Sequence, residues 1–199
     1  MGIGDRELIT KLQQGSLEAL GVLYDRYQHM VFRTALAITG DPDAAADLQQ
    51  DVFLRLFRFA KRVDAERPLE PWLYRVTANL AYTWVKRHNR WVRPFEDLAE
   101  WVASGFRSSP VQQMEIDETN EQIYHALLSL PLTHRVVVAL YYLNDLSLQE
   151  ISEILEIPVG TVKSRLHYGR LALKQYLGLR GEPLPGDQLA DMDLGYEFT

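Results

Sequence analysis

Residues 146–175 read LSLQEISEILEIPVGTVKSRLHYGRLALKQ, two amphipathic segments parted by a break too short for anything but a tight corner. Ser147 suits the N-cap of the first segment, and Glu150, three residues on, completes a capping box. Leu148, Ile151, Ile154 and Leu155 form its apolar stripe. Glu156-Ile157-Pro158 breaks the chain, and Pro158 can open a second helix because its missing N–H is not needed there. On that second helix Val162, Leu166, Leu173 and Leu177 fall on one side. Thr161, Ser164 and Tyr168 project from the far side, flanked by Lys163, Arg165 and His167. The pattern is a helix-turn-helix, whose second helix can lie in a major groove. Hydrogen-bonding and cationic groups on one exposed face suit base edges and phosphates. An ordinary helical hairpin with a solvated face is the plainer alternative.

Composition bounds the rest. The chain has 199 residues, 47% hydrophobic and 24% charged, with no cysteine. That length suffices for one large or two small cores, and the absence of cysteine removes disulfides, thiolate zinc sites and cysteine nucleophiles. No apolar run approaches the ~18 residues of a membrane span, and the first fifteen residues lack the blocks of a signal peptide. The expectation is a cytoplasmic protein. Enzymatic signatures are missing too: no phosphate loop, no HExxH and no GxSxG. Histidines 29, 88, 125, 134 and 167 have no metal-ligand spacing. No catalytic residue, metal or cofactor is expected.

A net charge of −6 seems unsuited to nucleic acid until it is divided along the chain. Residues 1–54 carry −4, 55–93 carry +7, 94–126 carry −6, 127–180 carry +2 and 181–199 carry −5. Local sign decides where a polyanion can sit, so 55–93 is a second candidate surface, far in sequence from the helix-turn-helix.

Periodicity makes nearly everything helical, without strand-like alternation. Asp5 can cap a short helix ending at Gly15. A longer helix runs from Ser16 to about Thr39, with Leu17, Leu20, Leu23, Tyr24, Tyr27, Val31, Ala35 and Ile38 as its apolar face. Gly40 ends it; Asp41-Pro42 caps and opens the next, which runs to about Phe59. Another begins at Pro71 and runs to about Arg90. Gly105, Ser108, Ser109 and Pro110 mark a linker. Helices from near Met114 to Ser129 and on to Leu143 then lead into the helix-turn-helix. The expected fold is all-α, two small helical domains joined by a flexible linker: 1–93, linker 94–113, 114–178, and an acidic tail 179–199 expected to be disordered.

These features together resemble a known family. The segment ALLSLPLTHRVVVALYYLNDLSLQEISEILEIPVGTVKSRLHYGRLALKQ is similar to region 4 of the bacterial RNA polymerase sigma factors of the extracytoplasmic-function (ECF) group, with PVGTVKSRLH its most specific part. DAAADLQQDVFLRLFR resembles region 2.2, and PWLYRVTANLAYTWVKR resembles regions 2.3 and 2.4. The resemblance covers about residues 16 to 178. It implies a promoter-specificity subunit that binds core RNA polymerase, recognises −35 and −10 elements and assists promoter opening.

Roles follow residue by residue from that resemblance. Region 2.2 docks on the largest-subunit clamp, and here Asp47, Gln50, Asp51, Leu54 and Arg55 match it. Helical spacing lets the apolar members Phe53, Leu54 and Phe57 seed the core while the polar ones face outward. The −10 element, held as single strand, falls to Asp64, Arg67, Arg75, Asn79, Lys86, Arg87 and Arg90. Neutralised phosphates and a place for unstacked bases are what strand opening requires. The loop from Asp64 to Glu70 corresponds to the one that receives an extruded base. Trp72 reads as core, whereas Tyr82, Trp84 and Trp91 divide evenly between core and stacking. Relatives often carry arginine at Ala78 and at His88 and Asn89, and aspartate at Thr83. The −35 element, read as duplex, falls to Thr161, Lys163, Ser164, Arg165, His167 and Tyr168, and the same domain clasps the flap tip of the second-largest subunit. An anti-sigma factor is a further implied partner. The main alternative is a stand-alone helix-turn-helix regulator acting without polymerase; the basic, aromatic segment 55–93 argues against it.

Overall fold

The computed structural model describes residues 3–88 and 118–179. Among these every regular element is helical. The chain divides into two compact units, Met1–Val111 and Gln112–Thr199. The expected linker 94–113, Trp91, Arg90 and all but the first residue of the acidic tail lie outside the described residues.

The first unit is built on α2 (Leu17–Thr39), against which α1 (Asp5–Gln13), α3 (Pro42–Arg58) and α4 (Glu70–His88) all pack. Local chemistry sets the ends. The Ser16 hydroxyl accepts from the Ala19 N–H at 3.2 Å, and Gly40 ends α2 at φ 69°, a left-handed stop that glycine adopts without penalty. Asp41 then caps α3, its carboxylate accepting from the Ala44 N–H at 2.9 Å, with Pro42 at the first helical position. A 3-10 turn, Ala60–Arg62, and a loop lead into α4. Leu8, Ile9 and Leu12 of α1, Leu23, Tyr27 and Val31 of α2, Val52, Phe53 and Leu56 of α3, and Leu69 and Leu73 of α4 share one core. Edge-on packing of Tyr24 against Phe53, centroids 4.8 Å apart, closes it on one side.

Four expectations change. Gly4, not Asp5, is the N-cap of α1; Asp5 stands one residue inside, because its carboxylate is taken by Arg26 and the Tyr27 hydroxyl. Leu17, the first residue of α2, is 67% exposed. Of the apolar trio on α3, only Phe53 joins the core, while Leu54 and Phe57 face solvent. Six residues in a row, VFLRLF, exceed what one helix stripe can bury, and Val52, Phe53 and Leu56 occupy it. Finally, Pro158 is an N-cap rather than the first helical residue.

The second unit stacks α5 (Glu118–Ser129), α6 (Leu132–Asn144), α7 (Leu148–Leu155) and α8 (Val159–Tyr176). The capping box forms as expected: Ser147 Oγ accepts from the Glu150 N–H at 3.3 Å, and the Ser147 N–H donates to Glu150 at 2.8 Å. The Ser147 hydroxyl also donates to the Glu150 carboxylate at 2.7 Å, and that bond first, then the one from the Ser147 N–H, holds the Glu150 carboxyl below its usual range. Leu148, Ile151 and Ile154 of α7 and Val162, Leu166 and Leu173 of α8 are buried, while Leu155 and Leu177 are half-buried. The corner between α7 and α8 puts Glu156 at φ 54°.

Gly169, in the middle of α8, went unnoticed in the sequence. A Cβ there would stand 2.6 Å from Val138 Cγ2 on α6, and a helical valine has one strongly preferred rotamer. The glycine therefore sets how closely α6 and α8 approach. Gly169→Ala should lower stability by about 1–3 kcal/mol through overpacking, against the gain of about 1 kcal/mol that alanine normally brings to a helix interior. Urea unfolding of the full chain checks the sign; a more stable variant contradicts the close approach.

Candidate nucleic-acid and polymerase interfaces

On α3 the inner face carries Ala44, Ala45, Leu48, Val52, Phe53 and Leu56. At a hundred degrees per residue Leu54 points directly away from it, with Asp47, Gln50 and Asp51 behind and Phe57 and Arg58 ahead. All of these, and Arg55 at the margin, are exposed, Leu54 to 60%. Leu54 and Phe57 thus leave apolar surface exposed amid polar neighbours on this face.

On α4 the buried residues are Leu73, Tyr74, Thr77, Ala78 and Ala81. Opposite them Arg75, Asn79, Tyr82, Thr83 and Lys86 share a face, with Arg87 on its flank. Asn79, Thr83, Lys86 and Arg87 are exposed, and Arg75 and Tyr82 are half-buried. The Lys86 ammonium lies 4.9 Å from the Tyr82 ring centroid, so charge and aromatic surface are presented together. Trp84 instead stacks on His88, centroids 4.6 Å apart, round the helix from this face. Trp72 packs against the core as expected. Ala78 is 1% exposed, so the alanine there is a packing residue in this chain.

Between α3 and α4 the loop 64–68 is exposed at Asp64, Glu66, Arg67 and Pro68 but bracketed by buried Val63 and Leu69. Asp64 spends one carboxylate oxygen on the Glu66 N–H, 3.0 Å away, and the other on Arg67 Nε at 3.3 Å. Glu66 pairs with Arg6 at 2.8 Å. Glu70 accepts from the Tyr27 hydroxyl at 3.1 Å. The loop is thus held both by Asp64 and by partners on α1 and α2, pairings that spacing alone did not reveal, and Arg67 keeps the donors that Asp64 leaves over.

On α8 Ser164 and Tyr168 are exposed and Thr161, Lys163, Arg165 and His167 half-buried. Thr161, Ser164 and Tyr168 face away from Val162 and Leu166, Arg165 lies on one flank, and Lys163 and His167 lie on the other. The Tyr168 ring lies 5.4 Å from His167 and 6.4 Å from His134. His134, in the first turn of α6, belongs to this neighbourhood although nothing in its sequence context signals it. Burial first, and then the charge of Arg165, hold its imidazole below the ordinary 6.5. Among the described residues no cluster of acids and histidines suits a metal ion, and no helix is long and apolar enough to cross a membrane.

These faces lie within two family matches. The sigma-70 region 2 model matches residues 23–91, and the sigma-70 region 4 model matches 120–173. The ECF RNA polymerase sigma factor SigW of Bacillus subtilis is 32% identical, over 86% of this chain and 96% of that protein. The chain belongs to the ECF RNA polymerase sigma factors. Another similar sequence is the ECF RNA polymerase sigma-E factor of Escherichia coli K12, 29% identical over 85% of this chain and 92% of the relative. The fold is also that of two solved structures. CnrH, in complex with the cytosolic domain of CnrY, superposes with a TM-score of 0.66 at 21% identity, covering 87% of this chain and 97% of that one. The sigma factor RpoE of Bartonella quintana, crystallised with the anti-sigma factor NepR, gives 0.62 at 18%, covering 80% and 96%.

This sigma factor is therefore a promoter-specificity subunit, a transcription initiation factor that works with RNA polymerase on promoter DNA. The region 2 match decides against a stand-alone helix-turn-helix regulator, which has no use for that domain.

The depressed His134 fixes a pH dependence. A folded-state value below the unfolded one gives stability that is present above the unfolded value and lost as pH falls through the folded one. Acidifying from about pH 7.5 to about 5.5 should lower the melting temperature, and His134→Gln should reduce that loss. Arg165→Ala should raise the His134 midpoint read by NMR without returning it to 6.5, because burial remains. A midpoint at or above 6.5 in the unaltered chain contradicts the arrangement.

Proposed function

We propose that the sigma factor divides its work among separate helix faces. The outer face of α3, Asp47, Gln50, Asp51, Leu54 and Arg55, docks on the largest-subunit clamp of core RNA polymerase. The loop 64–68 and the outer face of α4, with Asp64, Arg67, Arg75, Asn79, Lys86 and Arg87, hold the non-template strand of the −10 element, and Arg90 continues that basic row in sequence. Thr161, Lys163, Ser164, Arg165, His167 and Tyr168 on α8 read the −35 duplex, and the same domain meets the flap tip of the second-largest subunit. In sequence the division of labour is 1–93, 94–113, 114–178 and 179–199. An anti-sigma factor is the partner that holds the protein inactive, and the site of action is the cytoplasm.

The observation that carries this reading is the exposed Leu54 at the centre of the outer face of α3, on a helix distinct from the one bearing Asn79 and Lys86. Docking and strand capture then need not compete for one surface. Contacts to single-stranded DNA call for charge beside aromatic rings, which Lys86 and Tyr82 supply. Duplex reading calls for forked or hydrogen-bonding side chains along one helix, which Arg165, Ser164 and Thr161 supply.

Reconstituted transcription tests it: core polymerase with and without the protein on a genomic fragment library, mapping start sites. New starts sharing spaced upstream and downstream elements are expected. Leu54→Glu should weaken core-polymerase binding about tenfold or more, as for a buried interface anchor, while changing stability by less than about 0.5 kcal/mol because the side chain is exposed. Unchanged polymerase affinity removes α3 as the docking face. Arg165→Ala should cost about 1–3 kcal/mol at one base pair of the upstream element if the contact is to a base; equal loss on every sequence assigns it to phosphate.

A further inference from the structure

We infer that α1, which precedes the region 2 match at 23–91, is a splint that fixes the loop 64–68 in its base-receiving shape. The inference rests on the loop's proposed role, and four sets of contacts carry it. Val63 and Leu69, at the two ends of the loop, are buried in the same core cluster as Leu8, Ile9 and Leu12 of α1. Just before the loop, Gln13 Nε2 donates to the carbonyls of Val63 at 2.9 Å and Ala60 at 3.3 Å. Within the loop, Arg6 Nη2 pairs with Glu66 at 2.8 Å. Just after it, the Tyr27 hydroxyl lies between Asp5 of α1 and Glu70, the first residue of α4.

The contacts differ in weight. Arg6 and Glu66 are 73% and 62% exposed, so salt screens that pair and it contributes little. The Gln13 amide is part-buried and bonds backbone carbonyls, which fixes the loop's point of departure rather than one flexible side chain. The Tyr27 phenol has a single proton and two carboxylate neighbours, and Asp5 is held in place by the Arg26 guanidinium. Burial first, then the Asp5 hydrogen bond and the Glu70 charge, push its pKa far up, so the hydroxyl stays a donor at every physiological pH. Packing of α1 alone needs only Leu8, Ile9 and Leu12. The polar groups at positions 5, 6 and 13 add contacts before, within and after the loop.

The consequence is preorganisation. A loop ordered in the free protein does not lose further conformational freedom when it takes up a base, so both affinity and discrimination rise. Gln13, Arg6 and Tyr27 are positioning residues: they act through the loop and touch no nucleotide.

The test uses the full chain bound to core polymerase, with Gln13→Ala, the Arg6→Ala/Gln13→Ala pair and Tyr27→Phe. Two quantities are read: amide hydrogen exchange over residues 63–69, and the ratio of transcription from a preferred promoter to that from single-base variants of its downstream element. Faster exchange confined to 63–69 is expected, with discrimination at one downstream position falling about threefold to tenfold and binding to an upstream-element duplex unchanged. Arg67→Ala, inside the loop, separates the two ideas. If it leaves discrimination intact, the loop does not read a base, and the parent reading fails whatever α1 does. If it lowers discrimination while the α1 variants and Tyr27→Phe alter neither exchange nor discrimination, the splint is overturned. Losses that merely follow melting temperature across all positions, with Tyr27→Phe silent, assign α1 to the core alone and overturn it equally.

Discussion

Burial of one stripe of α2 sets the geometry of the first unit. Leu23, Tyr27, Val31, Ala35 and Ile38 are all nearly inaccessible, and α1, α3 and α4 all pack on α2. Each of those helices gives up an inner face, and at about 25 cal/mol per Å2 of apolar surface that burial outweighs any single polar contact in the unit. What remains outward on α3 and on α4 lies outside that core. The surfaces proposed for docking and strand capture are the residue of the packing solution, and their separation onto different helices follows from the helices sharing one mast.

The polar chemistry at the edge of that core is of a different kind. Tyr27 carries an apolar ring into the stripe and a hydroxyl out to two carboxylates, so one side chain joins hydrophobic packing to an electrostatic junction of α1, α2 and α4. Buried polar atoms are costly unless partnered, and here the partners come from elements far apart in sequence. The junction therefore forms only when those helices are correctly placed, which gives it value as a check on register beyond its contribution to stability.

Much of this was legible because it is local. Ser16, Gly40, Asp41-Pro42 and the Ser147/Glu150 box declare helix ends through bonds spanning three or four residues, and each formed. The exposed Asn79 of α4 came instead from the family resemblance, residue matched to residue. Leu54 was a missed opportunity: the run VFLRLF could not all face inward, and counting the helical angle assigns Leu54 to solvent. Other features had no signal at all. Gly169 looks like an ordinary weak point in a helix until Val138 is known to lie against it. Asp5 reads as a cap, and only the fold brings Arg26 to it. Gln13 meets carbonyls 47 and 50 residues away, a distance over which pattern carries no information. His134 joins Arg165 for the same reason.

The anchoring of the loop 64–68 bears on how such proteins diversify. Its ends are buried and its interior is exposed, so stability resides in Val63 and Leu69 and recognition, on the reading proposed for it, in the residues between. Substitutions at exposed positions away from special backbone features shift stability by less than about 0.5 kcal/mol. Asp64, whose carboxylate closes the turn, constrains the interior most, and the exposed Glu66 pair with Arg6 adds little. Duplicated copies of the chain can therefore drift in promoter preference along a nearly flat stability landscape, each remaining folded and competent for the same polymerase while the genes it selects diverge.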